Sequence, residues 1–173
     1  FEVFGQLGYA IISNIQSTDV KPLLRKYGLN NLHLNEWYSA KQFADLFEAM
    51  AHLPNVSTNF VAIGMAAATL LIQALPPELQ SATLEEILML EEELLFTNYR
   101  NGDPGYVRNS KIDDNTFVSD TRTAWPDDLI YGFAFGFVRR FCPAGRRFTI
   151  RKDPNLPGQD DGGEFLRLIT TLE

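Results

Sequence analysis

The sequence predicts an α+β fold in which N-terminal helices pack on a four-stranded antiparallel sheet. Apolar residues recur with helical spacing over about residues 1–100. After a turn cluster at 101–105, the pattern changes to the alternation of strands. One apolar helix interrupts these strands, which gives the order β-β-α-β-β in the C-terminal half. Runs of helices followed by runs of strands are typical of this class.

The bulk composition indicates one folded domain of 173 residues, with a helical half at about 1–100 and a sheet-containing half at about 101–173. A net charge of −7 argues against a nucleic-acid-binding surface. The only cysteine, Cys142, rules out an internal disulfide. We therefore expect a reducing, cytoplasmic location.

Capping signals define the first helices. Ser39 and Gln42 form a capping box, and Thr83 and Glu86 form a second one. Gly28 is a natural stop for the helix before them. The predicted helices of this half, each with approximate bounds, are 1–15, 18–27, 39–53, 57–75 and 83–98.

The helix at 57–75, which Ser57 or Thr58 is expected to cap, contains no charged residue. Only about 16 residues lie between Asn59 and Pro76, with Gln73 among them, and a membrane span needs about 20 apolar residues. We therefore predict a central buried helix and no membrane span. Gly64 and Ala68 lie four residues apart, so another backbone can approach that face closely.

Alternating segments in the second half predict strands at 106–112 and 115–121, joined by a tight hairpin. Further strands are predicted at 146–152 and 164–172. The two hairpins give an antiparallel sheet, since short connections join neighbouring strands.

The helix at 127–142 carries apolar residues on nearly every face. One broad stripe is expected to cover the sheet; it consists of Leu129, Ile130, Phe133, Ala134, Phe137, Val138 and Phe141. Tyr131 and Phe135 fall on another face, flanked by Gly132 and Gly136. Each glycine costs about 1 kcal/mol in a helix interior relative to Ala. Either a neighbouring helix backbone or a ligand must therefore need the space beside them.

No arrangement of residues predicts catalysis or metal binding. His33 and His52 are isolated, and Cys142 follows a helix C-terminus, where the dipole disfavours a thiolate. Five glutamates between residues 85 and 93 lack the loop geometry of a calcium site, so we interpret them as a solvated helix face. We predict no enzyme, no catalytic residue and no metal site.

Basic residues are concentrated between residues 139 and 152, which hold six of the fifteen in the chain. One hypothesis is that this surface binds an acidic partner or a second copy of the chain. The residues assigned to it are Arg139, Arg140, Arg146 and Arg147. Solvated ends of a helix and a strand explain the same pattern.

Several short motifs of the C-terminal half carry a family resemblance. They are Asp103-Pro-Gly-Tyr, Thr123-Ala-Trp-Pro126, Tyr131-Gly-Phe-Ala-Phe-Gly136 and Arg139-Arg-Phe141. Together they resemble the haem–nitric-oxide-binding-like and vinyl-4-reductase-like superfamily, mostly over residues 90–173. The resemblance implies helices packed on an antiparallel sheet, a pocket between them, and a role as a bacterial signalling domain or a subunit of a Golgi transport complex.

The sequence departs from the haem-binding members of that superfamily. Those members have a proximal histidine and a Tyr-x-Ser-x-Arg motif, which Tyr99-Arg100-Asn101 does not match. Neither histidine stands in the expected context. We therefore expect a non-haem member without a cofactor.

The first functional hypothesis is a non-enzymatic sensory domain that holds a small apolar molecule or an acyl chain between the helices at 58–75 and 127–142. The residues assigned to ligand binding are Met65, Ala68, Trp125, Tyr131, Gly132, Phe135 and Gly136. A second hypothesis is an interaction module without a ligand. A homodimer or a flanking signalling domain is the expected partner.

Overall fold

The computed structural model describes the chain except residues 14, 16, 17 and 55 and the side chains of residues 56–58. In the described part, the elements follow in this order: β1 (Glu2–Phe4), α1 (Gly5–Ile12), α2 (Lys21–Lys26), β2 (Trp37–Ser39), α3 (Ala40–Ala51), α4 (Val56–Gln73), α5 (Pro77–Gln80), α6 (Leu84–Phe96), β3 (Tyr99–Arg100), β4 (Tyr106–Asp113), β5 (Thr116–Arg122), α7 (Asp127–Phe141), β6 (Phe148–Lys152), a 3₁₀ turn (Gln159–Asp161) and β7 (Leu166–Leu172).

The four-stranded antiparallel sheet of the C-terminal half is confirmed. Its strand order is β4-β5-β7-β6, with α7 inserted between β5 and β6 along the chain. The hairpin β4–β5 pairs Tyr106 with Arg122 and continues to Asp113 opposite Thr116. In β7, buried and partly buried residues alternate, because successive side chains of a strand point to opposite faces. The face that holds Leu166, Leu168 and Leu172 is buried in the core.

A second sheet, of three short strands in the order β2-β1-β3, was not predicted. The prediction of a helix from residue 1 is wrong over residues 2–4, which form β1 instead. Val3 is fully buried and pairs with Tyr38 on one side and Tyr99 on the other. Its partners lie far away along the chain, so tertiary pairing overrides the helical spacing of this segment.

Both predicted capping boxes are present. The hydroxyl of Ser39 accepts a hydrogen bond from the backbone N–H of Lys41, while the side chain of Gln42 accepts one from the N–H of Ser39. Thr83 and Glu86 make the equivalent pair at α6. The predicted cap by Ser57 or Thr58 involves side chains outside the described residues.

The helix α4 is less buried than predicted. It packs against α1 and α7, and its residue Phe60 meets Phe47 of α3 with ring centroids 5.6 Å apart. Ala62 and Thr69, however, are exposed. One side of this uncharged helix therefore faces solvent. Small or weakly polar residues such as these can be exposed singly at a protein surface.

Candidate functional site

The helices α4 and α7 cross with their backbones in contact. A Cβ atom added to Gly132 would lie 2.1 Å from the carbonyl oxygen of Val61, and one added to Gly64 would lie 2.1 Å from that of Leu129. At Gly136 the nearest atom would be the Cβ of Ala68, 2.6 Å away. Of the two alternatives open for the α7 glycines, the structure therefore shows a neighbouring helix backbone.

The other residues assigned to this face lie in different surroundings. Tyr131 donates a hydrogen bond from its hydroxyl to the backbone oxygen of Ile150, at 3.2 Å. The ring of Phe135 packs on that of Phe148, with centroids 5.1 Å apart. Both side chains thus contact β6. At the helix crossing, the two backbones leave little room between α4 and α7. The ligand-binding role of the residues on these helices stays a prediction.

A cleft lies elsewhere, between the four-stranded sheet and the helices α1, α6 and α7. It holds about 820 Å³ of space including its open mouth, but its walls approach so closely that only about 50 Å³ is wide enough for a water-sized body. Apolar side chains form most of its wall, with Leu7 and Ile11 on α1, Leu88 and Leu95 on α6, Ile130, Ala134 and Val138 on α7, and Val107 and Leu168 on the sheet.

Trp125 is the residue assigned to ligand binding that lines this cleft. It is buried just before α7, and its indole N–H donates to the hydroxyl of Tyr99 at 2.8 Å. Its ring meets Phe43 and Phe47 of α3 edge-on, with centroids 5.8 Å apart in both cases. Burial raises the pKa of the Tyr99 phenol to about 12, so this hydroxyl stays protonated at neutral pH. Trp125 thus joins α3, β3 and α7 at one end of the cleft.

Two polar residues of the cleft wall, Ser119 and Glu91, are joined by a chain of hydrogen bonds that passes through Asn109. The Nδ2 group of Asn109 donates to Glu91 Oε2 at 2.8 Å and to the carbonyl oxygen of Leu88 at 2.8 Å. The hydroxyl of Ser119, which lies opposite Asn109 in the β4–β5 ladder, donates to Asn109 Oδ1. This chain connects α6 to two strands of the sheet.

The interpretation of the α6 glutamates as a solvated face is wrong for Glu91, which is only 8% exposed. Helical spacing contains the signal for this. Glu91 follows Ile87 by four residues and Leu88 by three, so it shares their inward face. Because Glu91 is the first of three consecutive glutamates, this position was hidden in the sequence pattern.

Burial raises the pKa of Glu91 to about 7, and the hydrogen bond from Asn109 offsets part of this effect. A buried carboxyl that titrates near neutral pH is typical of functional sites, although structural networks also produce it. The protonated and ionised forms of Glu91 are therefore both accessible at neutral pH.

The predicted partner-binding arginines are exposed, and three of the four contact their own chain. Arg140 donates to the carbonyl oxygen of Gln80 at 2.9 Å, and Arg146 donates to Asn115 Oδ1 at 3.0 Å. Arg147 lies 3.7 Å from a carboxylate oxygen of Glu173. Through these contacts, the arginines attach the end of α7 and the start of β6 to the rest of the fold. A partner-binding role for the cluster stays a prediction.

Among the described residues, no three His, Cys, Asp or Glu side chains are grouped closely enough to hold a metal ion. His33 and His52 are both exposed and lie outside the cleft wall. None of the described helices combines the length and the apolar character that a membrane crossing requires.

The sequence matches no protein-family model and no curated protein. The structure, in contrast, superposes on solved structures over nearly its whole length. An H-NOX protein from S. oneidensis, in its Fe(II)NO ligation state, matches with a TM-score of 0.73 and 13% identity, over 98% of this chain and 99% of that one. This chain has an H-NOX-like fold.

Two further H-NOX structures match to a similar degree. An oxygen-binding H-NOX domain related to soluble guanylate cyclases gives a TM-score of 0.69 at 14% identity, over 98% of this chain and 92% of that one. A mutant of the T. Tengcongensis H-NOX gives 0.70 at 14% identity, over 98% and 94% of the two chains. The resemblance predicted from the C-terminal motifs is confirmed for the fold, and it extends into the helical half.

The expectation that the domain has no cofactor is contradicted by these comparisons. Of two other matching structures, one concerns haem redox potential and protein-induced porphyrin distortion and the other haem distortion in the H-NOX family; the matches cover 96% and 98% of this chain. The sequence argument against a cofactor relied on the local surroundings of the two histidines. That criterion was too narrow, because a fold can be shared at 14% identity while individual ligand positions differ.

The residues that line the cleft do not fit a histidine-ligated haem with the walls in this arrangement. Those described there offer carboxylate, phenol and hydroxyl oxygens, but no imidazole, thiolate or thioether. A site for a drug-sized ligand holds roughly 300–1,000 Å³, and the cleft is wide enough for a water-sized body over only about 50 Å³. A porphyrin would therefore require α6 and the sheet to move apart.

Proposed function

We propose that this chain is a non-enzymatic sensory domain that binds its ligand in the cleft between α1, α6, α7 and the four-stranded sheet. The observation that carries the proposal is the cleft itself. It is mainly apolar, and it has one buried carboxyl group in its wall. Few, well-placed polar groups in an apolar cleft are characteristic of small-molecule sites.

The ligand chemistry has two candidates. The comparisons favour haem, because the matching solved proteins include haem proteins with bound NO or oxygen. The cleft's own residues favour a smaller apolar molecule, because its walls are close together and rich in aliphatic side chains. In either case, occupancy of the cleft would change the contact of α6 with β4, which a flanking signalling domain or a second copy could detect.

The test is to purify the protein from cells supplied with a haem precursor and to examine what it retains. A Soret absorption band would identify haem, and native mass spectrometry with solvent extraction would identify a smaller ligand. We expect one ligand per chain by one of these measurements. Absence of any retained ligand, together with no binding of added haem or of small apolar molecules, would contradict the proposal.

A pair of variants places the ligand. Ala134→Phe puts a ring into the cleft from α7, so it should remove the ligand. Ala66→Phe adds the same bulk to α4 at a surface groove outside the cleft, so it should leave binding unchanged. Equal retention by both variants would show that the ligand lies elsewhere.

A further inference from the structure

We infer that the cleft selects a small apolar ring that carries an N–H or O–H donor, and that the carboxyl group of Glu91 accepts this hydrogen bond. The inference rests on the proposed function, since it names the chemical class of the ligand for the same cleft. It assigns to Glu91 the role of a specificity-determining residue.

The first step is a count of donors around Glu91. The two hydrogens of Asn109 Nδ2 are used by Glu91 Oε2 and by the carbonyl oxygen of Leu88. The hydroxyl hydrogen of Ser119 is used by Asn109 Oδ1. A carboxylate has about four lone-pair sites, of which Asn109 occupies one. The ionised carboxylate of Glu91 therefore keeps lone-pair sites that can accept a hydrogen bond from a further donor.

The second step concerns charge. The titratable groups that line the cleft are Glu91 and Glu92 on α6, Tyr99 on β3 and Tyr106 on β4. The described cleft residues of α1, β5, α7 and β7 include no titratable group and no lysine or arginine. Among the residues that line the cleft, no lysine or arginine competes with an incoming donor for the Glu91 carboxylate.

The third step concerns the rest of the ligand. Around the carboxyl group the cleft is bounded by aliphatic and aromatic side chains, including Leu88 and Leu95 on the same helix. A single ring requires the least widening of this narrow space, whereas a long or branched molecule would have to displace more of the wall. A buried acceptor beside an apolar surface discriminates strongly, because a ligand without a donor leaves the acceptor desolvated and unpaired.

Protonation of Glu91 gives the site a characteristic pH dependence. The ionised carboxylate is the better acceptor, and its pKa is about 7 because burial disfavours the charge. A donor ligand favours the ionised form, so binding lowers this pKa and releases a proton. Affinity for the donor ligand should therefore rise as pH increases through about 7 and then level off.

The experiment compares pyrrole with furan, two rings of the same shape of which only pyrrole has an N–H donor. Each is titrated into the full chain, and binding is followed by ¹H–¹⁵N NMR at the indole N–H of Trp125, which lines the cleft. We expect pyrrole to bind about tenfold more tightly than furan or better, because hydrogen bonds to charged groups are stronger than those between neutral groups. The preference should grow between pH 6 and pH 8.

Two variants complete the test. Glu91→Leu should abolish the preference for pyrrole, whereas Glu93→Gln, at an exposed position of α6 outside the cleft wall, should keep it. Equal affinity of the wild type for both rings would overturn the inference while leaving the cleft as a ligand site. Failure of both rings to bind, with no shift at the Trp125 indole, would overturn the inference and count against the proposed function as well. The wild-type comparison holds even if a variant fails to fold.

Discussion

The side-chain amide of Asn109 lies 2.8 Å from a carboxylate oxygen of Glu91, so a residue of β4 holds the buried acid of α6 in place. The same amide also bonds the backbone oxygen of Leu88, one turn earlier on α6. The position of α6 relative to the sheet therefore depends on this chain of hydrogen bonds. The width of the cleft depends on that position, because α6 and β4 form two of its walls.

Removal of the Glu91 charge should change how stability responds to pH. The pKa of Glu91 is about 7 in the folded protein, against an ordinary value of 4.5, so the folded state binds more protons than the unfolded state between these values. The free energy of unfolding of the wild type should therefore fall as pH rises from 4.5 to 7, by about 3 kcal/mol from this group.

Urea denaturation across pH 4–8 measures this effect. Glu91→Gln should lack that fall. The difference in free energy of unfolding between this variant and the wild type should therefore shift in favour of the variant as pH rises. Glu92→Gln, at a partly exposed position on the same helix, serves as the control and should follow the wild type. Parallel pH profiles of Glu91→Gln and the wild type would refute this account of the buried acid.

The cost in stability of replacing a glycine by alanine at the α4–α7 crossing should depend on which atom the added methyl group contacts. Gly132→Ala places a Cβ atom 2.1 Å from a backbone oxygen, which cannot move without shifting α4. Gly136→Ala meets the methyl group of Ala68 at 2.6 Å. We expect Gly132→Ala to destabilise by about 3 kcal/mol or more and Gly136→Ala by less. Thermal unfolding of both variants tests this order, and a stabilised Gly132→Ala would contradict the observed crossing.

The hydrogen bond between Trp125 and Tyr99 should couple the two residues energetically. Trp125→Phe and Tyr99→Phe each remove it, and we expect the pair to contribute about 1 kcal/mol of coupling in a double-mutant cycle. Trp125→Phe also shrinks the contacts with Phe43 and Phe47, so it should cost more than Tyr99→Phe. Strictly additive losses in urea denaturation would show that this bond does not stabilise the end of the cleft.

Local signals predicted much of the fold. The capping boxes at Ser39 and Thr83, the turn cluster at 101–105 and the alternation of the last strands are encoded within a few residues each, and the structure has all of them. The resemblance of the C-terminal motifs also indicated the right fold. A sequence pattern can indicate interactions between residues that are close together along the chain.

The features that sequence patterns missed depend on pairing across the chain. The sheet of β1, β2 and β3 joins Val3 to Tyr38 and Tyr99, and none of the three strands is long enough to show alternation by itself. The glycines of α7 indicated close packing but not its partner, which is the backbone of α4. The cleft was expected between α4 and α7 and lies instead on the side of α7 that faces the sheet.

The most direct test of the cleft as the ligand site is a crystal structure of the protein saturated with pyrrole. We expect electron density for the ring between α6 and the sheet, with its nitrogen within hydrogen-bonding distance of the Glu91 carboxyl group. Density for the ring between α4 and α7, or only on the outer surface, would contradict the account.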